Sequence, residues 1–159
     1  MASTSTNKQP LLIDRVLHNV VNLDQSIVSG VDVVGTNTAS LIVDATSNDG
    51  AIIEDIYAVS RGSEQYFINL YMSSAVDYLR PNEGVFIGSF QDATLVSQVT
   101  HWEFMPRILA PVPQVIADGL DENQFKAFYL PKGRSLWAAI QSETPANDAP
   151  ILGVQGGYY

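Results

Sequence analysis

Two histidines are the only imidazole groups in this chain that can act as general bases or bind a metal ion near neutral pH. They are His18 and His101, which lie 83 positions apart, so no local spacing of the kind found in metal sites connects them. Two unrelated surface residues are the plainer interpretation of the pair. Cysteine is absent, which excludes disulfides, Cys-ligated zinc and thiol catalysis together. We therefore expect neither a metal site nor a cofactor.

The carboxylates offer no better catalytic arrangement. Glu54 and Asp55 are adjacent on a predicted strand, so their side chains should point to opposite faces and cannot both reach one glycosidic bond. Asp118, Asp121 and Glu122 are possible Ca²⁺ ligands, but the spacing is not that of an EF-hand loop and a solvated turn is the simpler interpretation. The motifs of serine hydrolases, zinc proteases and phosphate-binding loops are missing. We expect a protein that is not an enzyme, with a polysaccharide hydrolase as the remote alternative.

Aromatic residues are the other candidates for a binding site. Trp102 lies between a histidine and a glutamate, and Trp137 follows a Pro-Lys-Gly turn. If exposed, both could stack on sugar rings, which would define a carbohydrate- or receptor-binding module. Aromatic side chains more often pack in cores and at subunit interfaces, and that interpretation is preferred.

The chain consists largely of short apolar segments that are separated by turn residues every 8–12 positions. These segments must position the candidate side chains. This spacing predicts an all-β chain folded as a β-sandwich or a jelly-roll-like variant. Asn48, Asp49 and Gly50 indicate a turn and predict a hairpin over 39–59. A second hairpin is predicted around the sequence Leu-Pro-Lys-Gly at 130–133, with proline and glycine at the positions that a type I turn prefers.

Two segments carry apolar residues in patterns that need a separate interpretation. Residues 11–23 match the helical template at five positions but are rich in β-branched residues, so an extended segment is preferred. Residues 66–72 are apolar on nearly both faces, as expected in a sandwich interior or at a subunit contact.

The ends of the chain differ from its body. Residues 1–10 form a polar tract rich in Ser and Thr, which we interpret as an extended N-terminal arm. Residues 11–155 are predicted to form one β-sandwich domain, and 156–159 a short C-terminal tail. Arm and tail are expected to reach adjacent subunits, because an unpaired strand edge can accept an added strand. The candidate assembly contacts are Leu11, Leu12, Tyr71, Tyr158 and Tyr159.

Composition points to assembly rather than to binding of polyanions. The chain has 159 residues, 8 Lys and Arg against 17 Asp and Glu, and a net charge of −9. This balance argues against direct contact with nucleic acid or anionic membranes, and no apolar run is long enough to span a bilayer. The N-terminus has neither a basic start nor an apolar middle, so no signal peptide is predicted. Because 46% of residues are hydrophobic and only 16% charged, part of the surface is expected to be buried in a homo-oligomer.

Three segments carry a resemblance to a known group of proteins. They are the opening MASTSTNKQPLLIDR, the segment IIEDIYAVSRGSEQYFINLYMSS and the segment FYLPKGRSLWAAIQSE. With these the chain resembles the small accessory structural proteins of tailed bacteriophages, particularly those of marine cyanophages. The resemblance implies a sandwich fold, a location in the virion and a structural role as a capsid decoration (cement) protein or a neck or tail component. It implies contacts with further copies and with capsid, neck or tail proteins, and no catalytic residues.

Overall fold

A computed structural model describes residues 14–23, 39–77, 79, 83–102, 127–140 and 147–159. Regular structure in these residues consists of short strands rich in Val, Ile and aromatic residues, the composition that favours a pleated, half-buried surface. The nine strands are β1 (Arg15–Asn22), β2 (Ser40–Asp44), β3 (Gly50–Val59), β4 (Phe67–Ser73), β5 (Val85–Gln91), β6 (Val99–His101), β7 (Phe128–Pro131), β8 (Ser135–Ile140) and β9 (Ile151–Tyr158).

The strands form two antiparallel sheets. The larger sheet has the order β1-β9-β3, and both β6 and β7 pair with the far side of β3, along different halves of that strand. The smaller sheet has the order β2-β8-β4-β5. The apolar faces of both sheets contribute to one buried cluster, so the predicted all-β sandwich is confirmed.

Alternation along the strands places the core between the sheets. In β4, Ile68 and Leu70 point into the main core, and in β3 Ala51 and Ile53 do so from the other sheet. Each large aliphatic side chain buried in this way stabilises the fold by about 1.5–3 kcal/mol relative to an exposed one. Many such side chains in the described residues are buried in this core.

The two predicted hairpins are wrong in the same way. The turn at Asp49 and Gly50 reverses the chain, but β2 before it pairs with β8 and β3 after it pairs with β9. The turn at Lys132 likewise leads from β7 in the larger sheet to β8 in the smaller sheet. Each connection therefore crosses from one sheet to the other. The strand before each turn and the strand after it lie on opposite sides of the same core, and each turns its apolar face towards that core.

These two crossings lie against each other at one end of the sandwich. The N–H of Ala45 donates to the carbonyl of Arg134, and the N–H of Gly133 donates back to Ala45. Lys132 Nζ lies 2.7 Å from Asp49 Oδ1. The second turn is also displaced by one residue from the prediction, since the N–H of Arg134 bonds to the carbonyl of Pro131. Gly133 is then the third residue of the turn with a φ of +76°, as a type II turn requires.

Residues 66–72 are expected in the sandwich interior or at a subunit contact, and the structure places them in the sandwich. Ile68 and Leu70 enter the main core, and much of the second face is covered within the same chain, although Phe67 is 48% exposed. Tyr71 of β4 packs on the outer side of the smaller sheet with Trp137 and Leu79. The tyrosine is 4% exposed. Its proposed role as an assembly contact is therefore corrected to a packing role in a second, smaller core.

The ends of the described chain settle two further expectations. The preference for an extended conformation is confirmed over Arg15–Asn22, which forms β1. The C-terminal tail is wrong, because β9 continues to Tyr158 and lies between β1 and β3 in the middle of the larger sheet. Tyr159 is held as well, by backbone hydrogen bonds with Asp49 and Gly50. The arm at residues 1–10, with Leu11 and Leu12, lies outside the residues that the structure describes.

Candidate functional site

The face of the larger sheet that is turned away from the core, here called the outer face, carries an unusual number of apolar side chains. Cross-strand register builds it in rows, because partners in an antiparallel ladder share a face. Val16, Gly157, Ile52 and Tyr129 form one such row. The exposed fractions are 76% for Val16, 52% for Val20, 46% for Val99 and 37% for Tyr129.

Two glycines of β9 shape the centre of the outer face. Gly153 and Gly157 present no side chain on this face. A Cβ atom built on Gly153 would overlap the hydroxyl end of the ring of Tyr57, its partner in β3. The Tyr57 ring therefore lies over the β9 backbone at Gly153 and adds an aromatic group to the outer face.

A polar group interrupts this surface. His101 Nδ1 lies 3.0 Å from both carboxylate oxygens of Asp55, and the Tyr57 ring lies beside the imidazole with ring centroids 6.1 Å apart. The pair is solvent-accessible, and an exposed pair of this kind contributes little to stability.

The expectation that Glu54 and Asp55 point to opposite faces is wrong. A β-bulge lies between Ile53 and Asp55, where the pairing with β9 shifts by one residue. Ile53 and Ile56 are both buried, so the two residues between them are both turned away from the core. The extra residue changes the phase of the strand, and it places two carboxylates on the outer face.

The two histidines also lie on this face. His18 of β1 is paired with Gln155, and Gln155 with Asp55, which is the partner of His101. The sequence offered no reason to connect them, because the link runs through the order of strands in the sheet. Within the described ranges no group of three or more His, Asp or Glu side chains is arranged to hold a metal ion. The possible Ca²⁺ ligands Asp118, Asp121 and Glu122 fall outside those ranges.

Beside the outer face, β1 forms the edge of the larger sheet among the strands that the structure describes. The N–H of Leu23 donates to the carbonyl of Pro150, which continues the β1–β9 register. Because bonded and non-bonded pairs alternate in an antiparallel ladder, the odd-numbered residues of β1 bond to β9. The even-numbered residues Val16, His18 and Val20 therefore turn their backbone groups away from the sheet.

A cleft of about 300 Å³ opens between β1 and β2, the two edge strands on this side of the sandwich. Buried Leu17 and Ile42 form its apolar floor together with the Tyr158 ring. The Arg15 guanidinium lies 4.6 Å from the centroid of that ring. Burial raises the pKa of the Tyr158 phenol, so it remains a neutral hydroxyl at physiological pH. The cleft combines an apolar floor with a charged rim.

The tryptophans chosen as possible sugar platforms do not have the exposure that this role needs. Trp102 is 4% exposed and Trp137 is 2% exposed. Trp102 packs edge-on against Phe128 in the main core, and Trp137 donates from Nε1 to Ser135 Oγ on the outer side of the smaller sheet. Both are structural residues, and the sugar-stacking assignment is corrected accordingly.

Sequence reasoning missed the exposed valines, although a signal was present. In β1 the even positions Val16 and Val20 alternate with the odd positions Leu17 and Val21. A strand that is apolar at both sets of positions has two apolar faces, and a single core can bury only one of them. The same argument identified residues 66–72, but in β1 the second face stays exposed.

Comparison of the chain with protein-family models, with curated proteins and with solved structures gives no match. No helix in the described part of the chain is long and apolar enough to cross a membrane. The function must therefore be argued from the surface itself.

Proposed function

We propose that this protein is a non-enzymatic structural subunit that assembles with further copies and with other proteins through the outer face of its larger sheet. The observation that carries the proposal is the group of exposed apolar side chains on that face. Contiguous exposed apolar surface marks interaction sites in soluble proteins, and side chains with aliphatic and aromatic character are typical of interface centres. Because only 16% of its residues are charged, the chain has few charged side chains with which to cover such a face.

We further propose that the assembly is a virion, in the role of a capsid decoration (cement) protein or a neck or tail component. The support for this part is the resemblance of three segments to accessory proteins of tailed bacteriophages. A compact sandwich with an apolar outer face and an exposed edge suits a subunit that is repeated in a particle. Mass spectrometry of purified particles should find the chain, and its copy number would separate a decoration protein from a tail component. Its absence from particles would refute the virion role while leaving self-association intact.

The alternative roles receive no support from the described residues. A sugar-binding surface built on Trp102 or Trp137 would need those rings at the surface, and both are buried. A glycoside hydrolase needs two carboxyl groups about a scissile bond, and the cleft between β1 and β2 is lined by one carboxylate, that of Asp44. Two carboxylates lie together on the outer face, but one of them, Asp55, is engaged by His101. We therefore propose the structural role alone.

The test of the assembly surface replaces three exposed valines, Val16, Val20 and Val99, by threonine. Threonine keeps the β-branched shape and the strand preference, so the fold should melt at nearly the same temperature. We expect the triple variant to elute as a smaller species than the parent in size-exclusion chromatography with light scattering. Val85→Thr, at an exposed position of β5 in the other sheet, is the matched control. If parent and triple variant have the same mass at the same concentration, the outer face is not the assembly surface.

A further inference from the structure

The edge strand β1 and the cleft beside it form a receiving site for a strand, and we propose that its occupant is the N-terminal segment of a second copy of this chain. The inference rests on the proposed assembly role and names one contact within it. The site is the free edge of Val16 and His18 together with the cleft that ends at Asn19. Among the described strands, β9 alone pairs with β1.

Length and position make the N-terminal segment the fitting occupant. Thirteen residues precede Asp14, and fully extended they span about 40 Å. They are joined through Asp14 to Arg15, which is both the first residue of β1 and part of the cleft lining. A segment that departs from the mouth of the site on one copy can enter the same site on another copy. Two copies related by a two-fold axis near Arg15 would then exchange segments reciprocally and close as a dimer.

Charge supports the same occupant. Lys8 is the one ionisable side chain among residues 1–13, and all 17 acidic residues of the chain follow residue 13. A segment without acidic groups therefore approaches a domain with a large negative charge, at a rim that includes Asp44. In this arrangement the two Arg15 side chains approach each other across the axis, and Asp44, which lines the same cleft in each copy, supplies the opposite charge that offsets their repulsion.

The backbone pattern requires even-numbered residues of β1 to pair with the segment, and the position of the axis then sets the register. At Asp14 one bond is missing from the new pairing, because its N–H donates to the carbonyl of Tyr158. With the axis at Arg15, Leu12 of the second copy lies opposite His18, and Pro10 lies opposite Val20. Pairing would end there for two reasons, because proline has no N–H to donate and the N–H of Val20 already donates to Asn19 Oδ1 at 2.9 Å. Side chains of paired residues share a face, so Leu12 extends the apolar outer face. Leu11 then points to the other side, towards the cleft and its floor of Leu17 and Ile42.

Cross-linking tests the register directly, because the full chain contains no cysteine and each introduced thiol is the sole one. Bonded antiparallel partners have Cα atoms about 5.5 Å apart, within the range that a disulfide bridges. We expect a mixture of the Leu12→Cys and His18→Cys chains to give a disulfide-linked heterodimer on mild oxidation. The yield should exceed that of Leu12→Cys mixed with Val85→Cys by about tenfold, as the local concentration at a formed site is in the millimolar range. Equal yields in the two mixtures would overturn the proposal.

A backbone substitution provides the second test. His18→Pro removes an N–H that faces the proposed segment and takes no part in the pairing with β9, a position where a strand edge tolerates proline. We expect this variant to elute as a monomer under conditions where the parent and a His18→Thr control are dimers. A dimeric His18→Pro chain would contradict segment exchange, and if that variant fails to fold the cross-link decides. If removal of residues 1–12 leaves assembly unchanged while the valine-to-threonine variant disrupts it, the proposed function stands and segment exchange falls.

Discussion

The side-chain amide of Asn19 joins the two edge strands of the sandwich, because its Nδ2 donates to the carbonyl oxygen of Ile42 at 3.0 Å. Ile42 is the bulged residue of β2, between the paired residues Leu41 and Val43, so its carbonyl is available to a partner outside the smaller sheet. The same amide accepts a hydrogen bond from the N–H of Val20. One side chain thus closes the cleft at one end and occupies a backbone donor of the exposed edge.

Replacing Asn19 by alanine should therefore loosen both edges at once. The variant loses two partly exposed hydrogen bonds, and we expect the free energy of unfolding to fall by about 1 kcal/mol, measured by urea denaturation. Asn22→Ala, at an exposed position of the same strand, should change it by less than half as much. A second consequence is increased association at high protein concentration, since the N–H of Val20 becomes available to another strand. Equal effects of the two substitutions would show that the link between Asn19 and Ile42 has no energetic role.

Tyr57 and Gly153 form the second coupled pair, on the outer face. A Cβ at position 153 would overlap the end of the Tyr57 ring, so Gly153→Ala must displace the ring from its place over β9. We expect a destabilisation of about 1–3 kcal/mol, the usual effect of overpacking. In a Tyr57→Ala background the same glycine substitution should be nearly neutral, giving a coupling energy of about 1 kcal/mol or more in a double-mutant cycle. An additive cycle would mean that the ring does not occupy this position in solution.

Local features of the sequence are sufficient to predict where the strands lie. They are not sufficient to predict which strands pair with each other. The apolar residues on nearly both faces of 66–72 correctly predict a strand of the sandwich, and the β-branched composition of β1 correctly favours an extended chain. The turn at Asp49 and Gly50 is also correctly located. A turn signal reverses the chain without specifying whether the returning strand stays in the same sheet, and that choice depends on contacts with residues about 80 positions away, such as Lys132.

Single residues account for the rest of the difference. The bulge at Glu54 shifts the phase of β3, so every face assignment based on strict alternation changes beyond it. Burial of Trp102 depends on Gly88 in β5, where an added Cβ would lie 3.0 Å from the indole. Which glycine faces which tryptophan follows from the sheet order, a long-range property with no local signal. For the same reason the outer face, assembled from five strands distant in sequence, escapes a search for motifs.

Ser135 and Trp137 provide a prediction about the second core. Ser135 Oγ is completely buried, accepts from Trp137 Nε1 at 2.9 Å and lies 3.1 Å from the carbonyl of Ser73. Ser135→Ala leaves the indole N–H without its acceptor, and we expect a loss of about 1–3 kcal/mol in the free energy of unfolding. In a Trp137→Phe background the donor is gone, and the serine substitution should cost less. Equal costs in both backgrounds would assign the effect to the contacts of Ser135 Oγ with the carbonyls of Ser73 and Ala75 instead.

Asp92 makes the stability of the fold depend on pH in a defined direction. It lies between β5 and β6 with 1% of its surface exposed, and Oδ1 accepts from the N–H of Tyr66 at 2.6 Å. Within the described residues Oδ2 has no hydrogen-bond partner. Burial raises the pKa of this carboxyl, although the hydrogen bond from Tyr66 opposes the shift.

An acid whose pKa is higher in the folded than in the unfolded protein binds its proton more tightly when folded. Its contribution to stability is therefore complete below the unfolded pKa and is lost as the pH rises through the folded pKa.

Asp92→Asn removes this titration, so we expect the difference in unfolding free energy, variant minus parent, to shift in favour of the variant between pH 3.5 and pH 7. Urea denaturation at half-unit pH steps measures the difference, and Asp77→Asn, at an exposed position, provides the matched control. The other carboxylates titrate alike in parent and variant and cancel in the comparison. A difference that stays constant across this range would mean that Asp92 has the same proton affinity in both states, and that the buried Oδ2 is solvated in a way that the described residues do not provide.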